Sequence, residues 1–396
     1  MLTLPIEQAK PGMTLAAPVT HPDHPDQDLL KAGYALEPQV IQRLKGMGVG
    51  YIYVDYPGLD DLDRHLAVNL SPARQRLYTQ IKETIVAGQQ RTRPAVSYAD
   101  YYNTTRELVL TLMSQGQHPV YIEHMSRLGD DAITHSTAVA HLGLLLGIKL
   151  QAYLVSQRRR LSPQHAKEVV NIGVAGMLHD MGKLRLPPEL QQYNGAHVPK
   201  KPDDLLSWQG HVQEGYEMIR SGVEPSAAAA VLHHHQHWDG SGFPAIEHRD
   251  GTKSLPSQER IHIFARIVSV ADLYDRLATP AELRPARRPN LQVLHLLRTQ
   301  YASWCDPTVL KALHLITPPF PPGSILMLSD GSNAVVVDIG YHDPYRPLVK
   351  RVIGPDLQLD EKRTDLSEPD APRITHLGKT PVEGLVPETD LNLVPD

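Results

Sequence analysis

Ionisable residues set inside apolar helical stretches are the feature that most limits what this chain can fold into. The run Val169 to Leu178 is almost wholly apolar and ends directly in His179-Asp180, and "ARIVSVADLYD", Ala265 to Asp275, carries Asp272 among residues suited to a core. A carboxylate taken out of water alone is expensive. Such helices can be buried only if their acids and imidazoles meet partners, and a metal cation is a partner that accepts several of both. Asp131 and His135 are four apart, so they share one face of a candidate helix and can reach one ion. His211 lies in a helix flanked by Trp208 and Met218, and His233, His234 and His235 end another. The chain has 21 histidines, many of them between positions 118 and 262, and histidine is the commonest metal ligand. Each residue alone has a plainer reading. A lone histidine is more often a hydrogen-bonded core residue, the triplet can be a solvated helix end, Asp131 can face a helix dipole, and Asp272 can be half of an ion pair. Only the joint pattern points to a metal centre.

The rest of the composition narrows the classes. A chain of 396 residues exceeds one typical domain. A net charge of −5 gives no global electrostatic reason to bind nucleic acid or an anionic membrane. Cys305 is the only cysteine, which excludes an intrachain disulfide and a thiolate metal cluster and reads as a small buried residue. The start of the chain has no signal-peptide pattern, and no apolar run is long enough to span a bilayer. A cytoplasmic protein is expected.

Along the chain, residues 1–60 read as a small α+β domain, with "GMTLAAPVT" and "VGYIYVDY" as strands around a helix in "EPQVIQRLKGMG". Residues 61–128 read as a helical connector that can also serve a homo-oligomer. Residues 129–316 read as a helical bundle, with helices over 130–147, 165–182, 203–221, 226–237 and 257–278 and a pair near 290–314. Residues 317–396 read as a β-rich, barrel-like unit with a loose tail, its first hairpin turning at Asp330-Gly331. The fold class is therefore mainly α, a central helical bundle between two smaller units.

The order His135, His179-Asp180, His211, His234-His235, Asp272 resembles the HD superfamily of metal phosphohydrolases. The sharper resemblance is to the HD-GYP family, carried by "HDMGK" (His179 to Lys183), "HHQHWDGSGFP" (His234 to Pro244) and "ARIVSVADLYD". It covers roughly positions 126 to 316. It implies an HD-type bundle in which His135, His179, Asp180, His211, His234, His235 and Asp272 ligate two metal ions, most suitably iron or manganese, with Asp180 bridging them. Asp131 stands where some members use a glutamate to hold a third metal, and aspartate is the shorter side chain. Lys183 would hold a phosphate oxygen, its plain alternative being an exposed helix-end lysine. Gly242-Phe243-Pro244 stands at the family's Gly-Tyr-Pro position, where the loop would meet substrate or dock a diguanylate cyclase or another signalling protein.

The resemblance further implies hydrolysis of cyclic di-GMP to linear pGpG or GMP, with Asp180 and Lys183 as the catalytic pair. Paired metals suit this because they neutralise a phosphodiester and activate water. Four departures bear on it. Phe243 replaces tyrosine. His233 turns the histidine pair into a triplet. Residues Gln191 to Trp208 lack the usual short turn. The family's Arg-Pro-Tyr-Arg stretch appears as Arg284-Pro285-Ala286-Arg287, displaced by about three residues. Arg284 and Arg287 suit phosphate clamping and suit plain surface charge equally well. Two other readings stay open: a binding module that senses cyclic di-GMP without hydrolysing it, and an HD phosphohydrolase for another nucleotide.

Overall fold

A computed structural model describes residues 2–21, 28–49, 51–56, 58, 72–90, 97–114, 131–248, 250–279, 288–340, 343–354 and 358–387. Arg284, Arg287, the side chain of Asp131 and the final residues of the expected tail lie outside these.

The chain begins with β1 (Leu2–Pro5), β2 (Val19–Thr20), β3 (Asp28–Leu30), α1 (Pro38–Gly46) and β4 (Tyr51–Val54). β1 pairs antiparallel with β4, and β2 with β3. Helices α2 (Pro72–Gln90) and α3 (Tyr98–Ser114) follow. The central bundle is built from α4 (Asp131–Lys149), α5 (Gln151–Gln157), α6 (Pro163–Ala166), α7 (Val170–Leu178), α8 (Pro188–Gln191), α9 (Pro202–Gln209), α10 (His211–Ile219), α11 (Pro225–His233), α12 (Ile263–Ala278), α13 (Asn290–Thr299) and α14 (Pro307–Ile316). Prolines open many of these helices, where a missing N–H costs nothing and the fixed φ is already helical. They include Pro72, Pro163, Pro188, Pro202, Pro225 and Pro307. Proline here marks helix starts as well as irregular chain.

Every residue of α7 is buried, as an all-round apolar helix requires. It packs most closely on α4, where a Cβ added to Gly176 would lie 2.7 Å from the Cα of Ala140. Helix α12 lies against both. These three helices set the floor of the site. The expected single helix over 203–221 is two helices meeting at Gly210. The reason is local: His211 Nδ1 donates to the Trp208 carbonyl at 2.5 Å, and so competes for the acceptor a continuous helix would offer Val212. The expected helix over 257–278 starts at Ile263, after a 3-10 turn over Gln258–Arg260.

A short antiparallel pair, β5 (Ile246–Glu247) and β6 (Lys253–Ser254), precedes α12, and beyond α14 the chain forms β7 (Ile325–Leu328), β8 (Asn333–Asp338), β9 (Leu348–Val352), β10 (Leu359–Asp365), β11 (Ile374–Leu377) and β12 (Thr380–Pro381). The last six make one antiparallel sheet of order β10-β9-β8-β7-β11-β12. The barrel-like closure expected from sequence is not present among the described residues: the sheet is open, with β10 and β12 as separate edges. Its face carrying Val335 and Val337 shares one apolar cluster with Leu4, Ile6, Leu15, Ile41 and Ile52. The first and last parts of the chain are therefore packed together. No single helix among the described residues is long and apolar enough to cross a membrane.

Candidate metal centre

The ligand-type residues sit where elements end. His179 follows α7 directly, Asp180 leads into a 3-10 turn over Met181–Arg185, His211 opens α10, and His234-His235 form the turn after α11. His135 and Asp272 come from within α4 and α12. Gly182 explains how Asp180 and His211 can approach. A Cβ there would lie 1.8 Å from the His211 carbonyl oxygen, so only glycine lets the turn lie against α10.

Three imidazoles are aimed in the same way. His179 Nδ1 donates to the Gly176 carbonyl at 2.8 Å, His211 Nδ1 to Trp208 at 2.5 Å and His234 Nδ1 to Val231 at 2.7 Å. A carbonyl only accepts, so each Nδ1 carries the hydrogen and each Nε2 presents a lone pair to the centre. His135 is aimed by a carboxylate instead, its Nδ1 donating to Asp275 Oδ2 at 2.6 Å.

Asp180 stands between two groups. Its Oδ1 faces His211 Nε2 at 3.7 Å and His234 Nε2 at 3.8 Å. Its Oδ2 faces His179 Nε2 at 3.5 Å and His135 Nε2 at 3.8 Å. Asp272 Oδ1 joins the second group, 3.0 Å from His135 Nε2 and 3.7 Å from His179 Nε2. Candidate ligand atoms of Asp180, His211, His234 and His235 lie within 4.8 Å of one another, as do those of His135, His179 and Asp180.

The residues fit metal ions on one decisive observation. Asp180 Oδ1 and the Nε2 atoms of His211, His234 and His235 are buried acceptors without a hydrogen-bond partner among the described residues. Four converging lone pairs repel one another and have forfeited water. A cation removes both costs. Burial, with the Lys183 charge, lowers the His211 pKa to about 4. Burial and the neighbouring His179 and His211 lower His234 to about 3. Burial also pushes His235 well down. All three are held neutral, the form that ligates. His179 differs. Burial opposes its charge, yet Asp180 and Asp272 raise its pKa to about 9. Burial alone would raise Asp180, but Lys183, His179 and Arg276 bring it well below the usual carboxylate range.

A cleft of about 710 Å³ opens beside the centre, lined by Asp180, Lys183, Arg276, Arg288, Asn194 and Tyr301 among others. Lys183 reaches it with Nζ 2.7 Å from Asp180 Oδ2. The Gly242-Phe243-Pro244 loop lies elsewhere. Its Phe243 N–H donates to the His235 carbonyl at 3.0 Å. The Phe243 ring stacks on His235 with centroids 4.8 Å apart and meets buried Trp208 edge-on at 5.3 Å. This loop braces a ligand from behind instead of lining the cleft. The absent tyrosine hydroxyl fits that packing, because the ring is held by other rings. Residues 191–208, unlike the family pattern, form α8, a bridge between Asn194 and His197, and α9, tied down by Trp208 Nε1 donating to the Tyr193 carbonyl at 3.2 Å. His233, the extra histidine, ends α11 and belongs to neither group of converging ligand atoms, whereas His234 and His235 belong to one of them.

Two residues of the centre had no role assigned from sequence. Asp275 orients His135, and Arg276 Nη2 lies 3.0 Å from Asp180 Oδ2. Their signal was helical spacing, three and four residues beyond Asp272, which puts all three on one face of α12.

An HD domain matches residues 134–309. Over 379 residues the chain is 25% identical to a cyclic di-GMP phosphodiesterase of Pseudomonas aeruginosa, covering 88% of this chain and 84% of that protein. Over 166 residues it is 32% identical to a cyclic di-GMP phosphodiesterase response regulator of Xanthomonas campestris pv. campestris, covering 41% of this chain and 39% of that protein. It also resembles the solved structure of an HDG"Y"P protein from Bdellovibrio bacteriovorus, at 15% identity and a TM-score of 0.41, over 79% of this chain and 97% of that one. The central segment, with its His179-Asp180 pair and Gly-Phe-Pro loop, thus matches an HD domain and is similar to these cyclic di-GMP phosphodiesterases.

Proposed function

We infer that this protein is a metal-dependent phosphodiesterase that hydrolyses cyclic di-GMP to linear pGpG, and onward to GMP. The observation that carries the chemistry is the position of Asp180, one carboxylate presenting its two oxygens to two sets of imidazoles at the edge of a cleft. Cyclic di-GMP as the substrate is supported by the likeness to the Pseudomonas cyclic di-GMP phosphodiesterase, matched over most of its length.

In this reading His211, His234, His235 and Asp180 Oδ1 hold one cation. His135, His179, Asp272 and Asp180 Oδ2 hold the other. Imidazole and carboxylate together suit iron or manganese better than magnesium. Bound divalent cations supply Lewis-acid neutralisation of the phosphodiester and lower the pKa of water. The chain's own residues do the positioning. The backbone carbonyls of Gly176, Trp208 and Val231, with the carboxylate of Asp275, keep the imidazole lone pairs aimed inward. Lys183 reaches the cleft with an amine whose pKa burial lowers, Asp180 opposing that shift in part. In-line attack needs such fixed placement, because most of the barrier reduction comes from orientation and charge.

The test is product analysis with purified protein loaded anaerobically with iron or manganese. Conversion of cyclic di-GMP to pGpG or GMP is expected. Tight nucleotide binding without turnover would instead mark a sensor. Asp180→Ala should lose bound metal and activity together, since both ligand groups share its carboxylate. Full activity in that variant without bound metal contradicts the assignment.

A further inference from the structure

Asp180 does not face its two sides equally. Oδ1 meets only imidazole nitrogens and has no hydrogen-bond partner among the described residues. Oδ2 already receives Lys183 Nζ at 2.7 Å and Arg276 Nη2 at 3.0 Å. Arg276 lies one helical turn beyond Asp272, with Nε 3.7 Å from Asp272 Oδ1. One guanidinium therefore spans the two carboxylates of the His135–His179 side. Among the described residues, the ion pair that Lys183 makes is with Asp180.

We propose that Arg276 is a resident cation that makes the two metal positions unequal. The His211–His234–His235 side fills first, and the His135–His179–Asp272 side fills as the guanidinium gives up the two carboxylates for the cleft. The proposal rests on the two-metal reading above. Its physical basis is charge. Counting the described residues with each imidazole in the neutral form that ligation requires, Asp180, Asp272 and Asp275 bring three negative charges to the centre, and Lys183 and Arg276 bring two positive ones. One divalent ion turns this net charge of one negative into one positive. A second ion beside an unmoved Arg276 leaves three positive, among buried neutral imidazoles that offer no counter-charge. Like charges at such separations in a partly buried site repel by several kcal/mol.

The guanidinium has somewhere to go. Arg276 already lines the cleft with Lys183 and Arg288. A planar guanidinium fork matches the paired oxygens of a phosphodiester. Entry of the second ion and arrival of an anionic substrate thus draw the same side chain in the same direction. That makes Arg276 a positioning residue for metal loading.

The experiment titrates the metal-stripped full chain with Mn²⁺ alone by calorimetry, counting bound manganese by elemental analysis. Wild type, Arg276→Gln and Arg276→Lys are compared, each checked for folding by thermal unfolding. Two steps are expected in wild type, the second weaker by about tenfold or more, the scale of a partly screened charge contact. Arg276→Gln should tighten the second step by about tenfold and leave the first within about twofold, because only the local charge is removed. Arg276→Lys keeps the charge and should keep the second step weak. Two equal steps in wild type overturn the proposal, whether or not the variants fold. So does an Arg276→Gln protein whose second step is unchanged, or whose two steps tighten alike, as a merely structural arginine would give. A wild type that retains no manganese overturns the metal-centre reading itself, a result distinct from two equal steps.

Discussion

The side chains that hold the ligands matter as much as the ligands. Asp275 accepts the Nδ1–H of His135 at 2.6 Å. Its carboxylate fixes the orientation and tautomer of the ring, leaving the Nε2 lone pair facing the centre. Asp275→Asn should lower manganese affinity by roughly 10- to 100-fold, the usual loss for a carboxylate that orients a metal-binding histidine. Metal titration measures it, and unchanged affinity removes Asp275 from the centre. Asp275 and Arg276 could have been suspected in the sequence from their spacing to Asp272. Nothing in the sequence says whether the face they share looks into the core or at solvent, and their roles depend on that.

At the scale of elements, the bundle is fastened by an ion pair remote from the chemistry. Arg266 of α12 bonds Asp306, the N-cap of α14, and both side chains are buried. Asp306 Oδ2 also accepts from Tyr153 Oη at 2.9 Å, while its Oδ1 accepts from the Thr308 N–H at 2.8 Å. One carboxylate thus joins α12, α14 and the helix that carries Tyr153. Asp306→Ala should destabilise the protein by about 3–5 kcal/mol, because it strands the Arg266 charge in the core. Urea unfolding tests this, and a loss below about 1 kcal/mol, the level of a surface pair, refutes it. Helix positions were largely legible from apolar spacing. Their ends were less so. The break at Gly210 depends on a side chain competing for a backbone acceptor, and strand β10, "LDEKRTD", has no alternating apolar pattern to announce it.

For the whole molecule, buried neutral histidines outside the centre make stability depend on acidity. Burial, with Arg158 and Arg266 nearby, lowers the His262 pKa to about 4, and burial lowers His314 to about 4. His262 has a structural reason to stay neutral, since its Nδ1 accepts the Phe264 N–H at 3.2 Å and caps α12. Both folded-state values lie below the unfolded value of 6.5. The folded state therefore binds fewer protons than the unfolded one between these limits. Their contribution is fully present above about pH 6.5, is lost as the pH falls toward 4, and is constant below that. Thermal unfolding from pH 7.5 to 4 should show this decline. His262→Gln together with His314→Gln should flatten it, and an unaltered slope in that variant refutes the assignment.

The sequence alone determined that a run of apolar helices carries histidines and aspartates in a fixed order, because helical periodicity and the cost of burying charge act on neighbouring residues. It also located the hairpin at Asp330-Gly331, a turn dictated locally. Only the tertiary structure decided that Asp180 divides its oxygens between two sets of imidazoles, that Phe243 turns toward His235, and that Val335 and Val337 close the same apolar cluster as Leu15 and Ile52. Those facts relate residues tens to hundreds of positions apart. They follow from which buried faces meet, and the pattern within each face does not encode its partner.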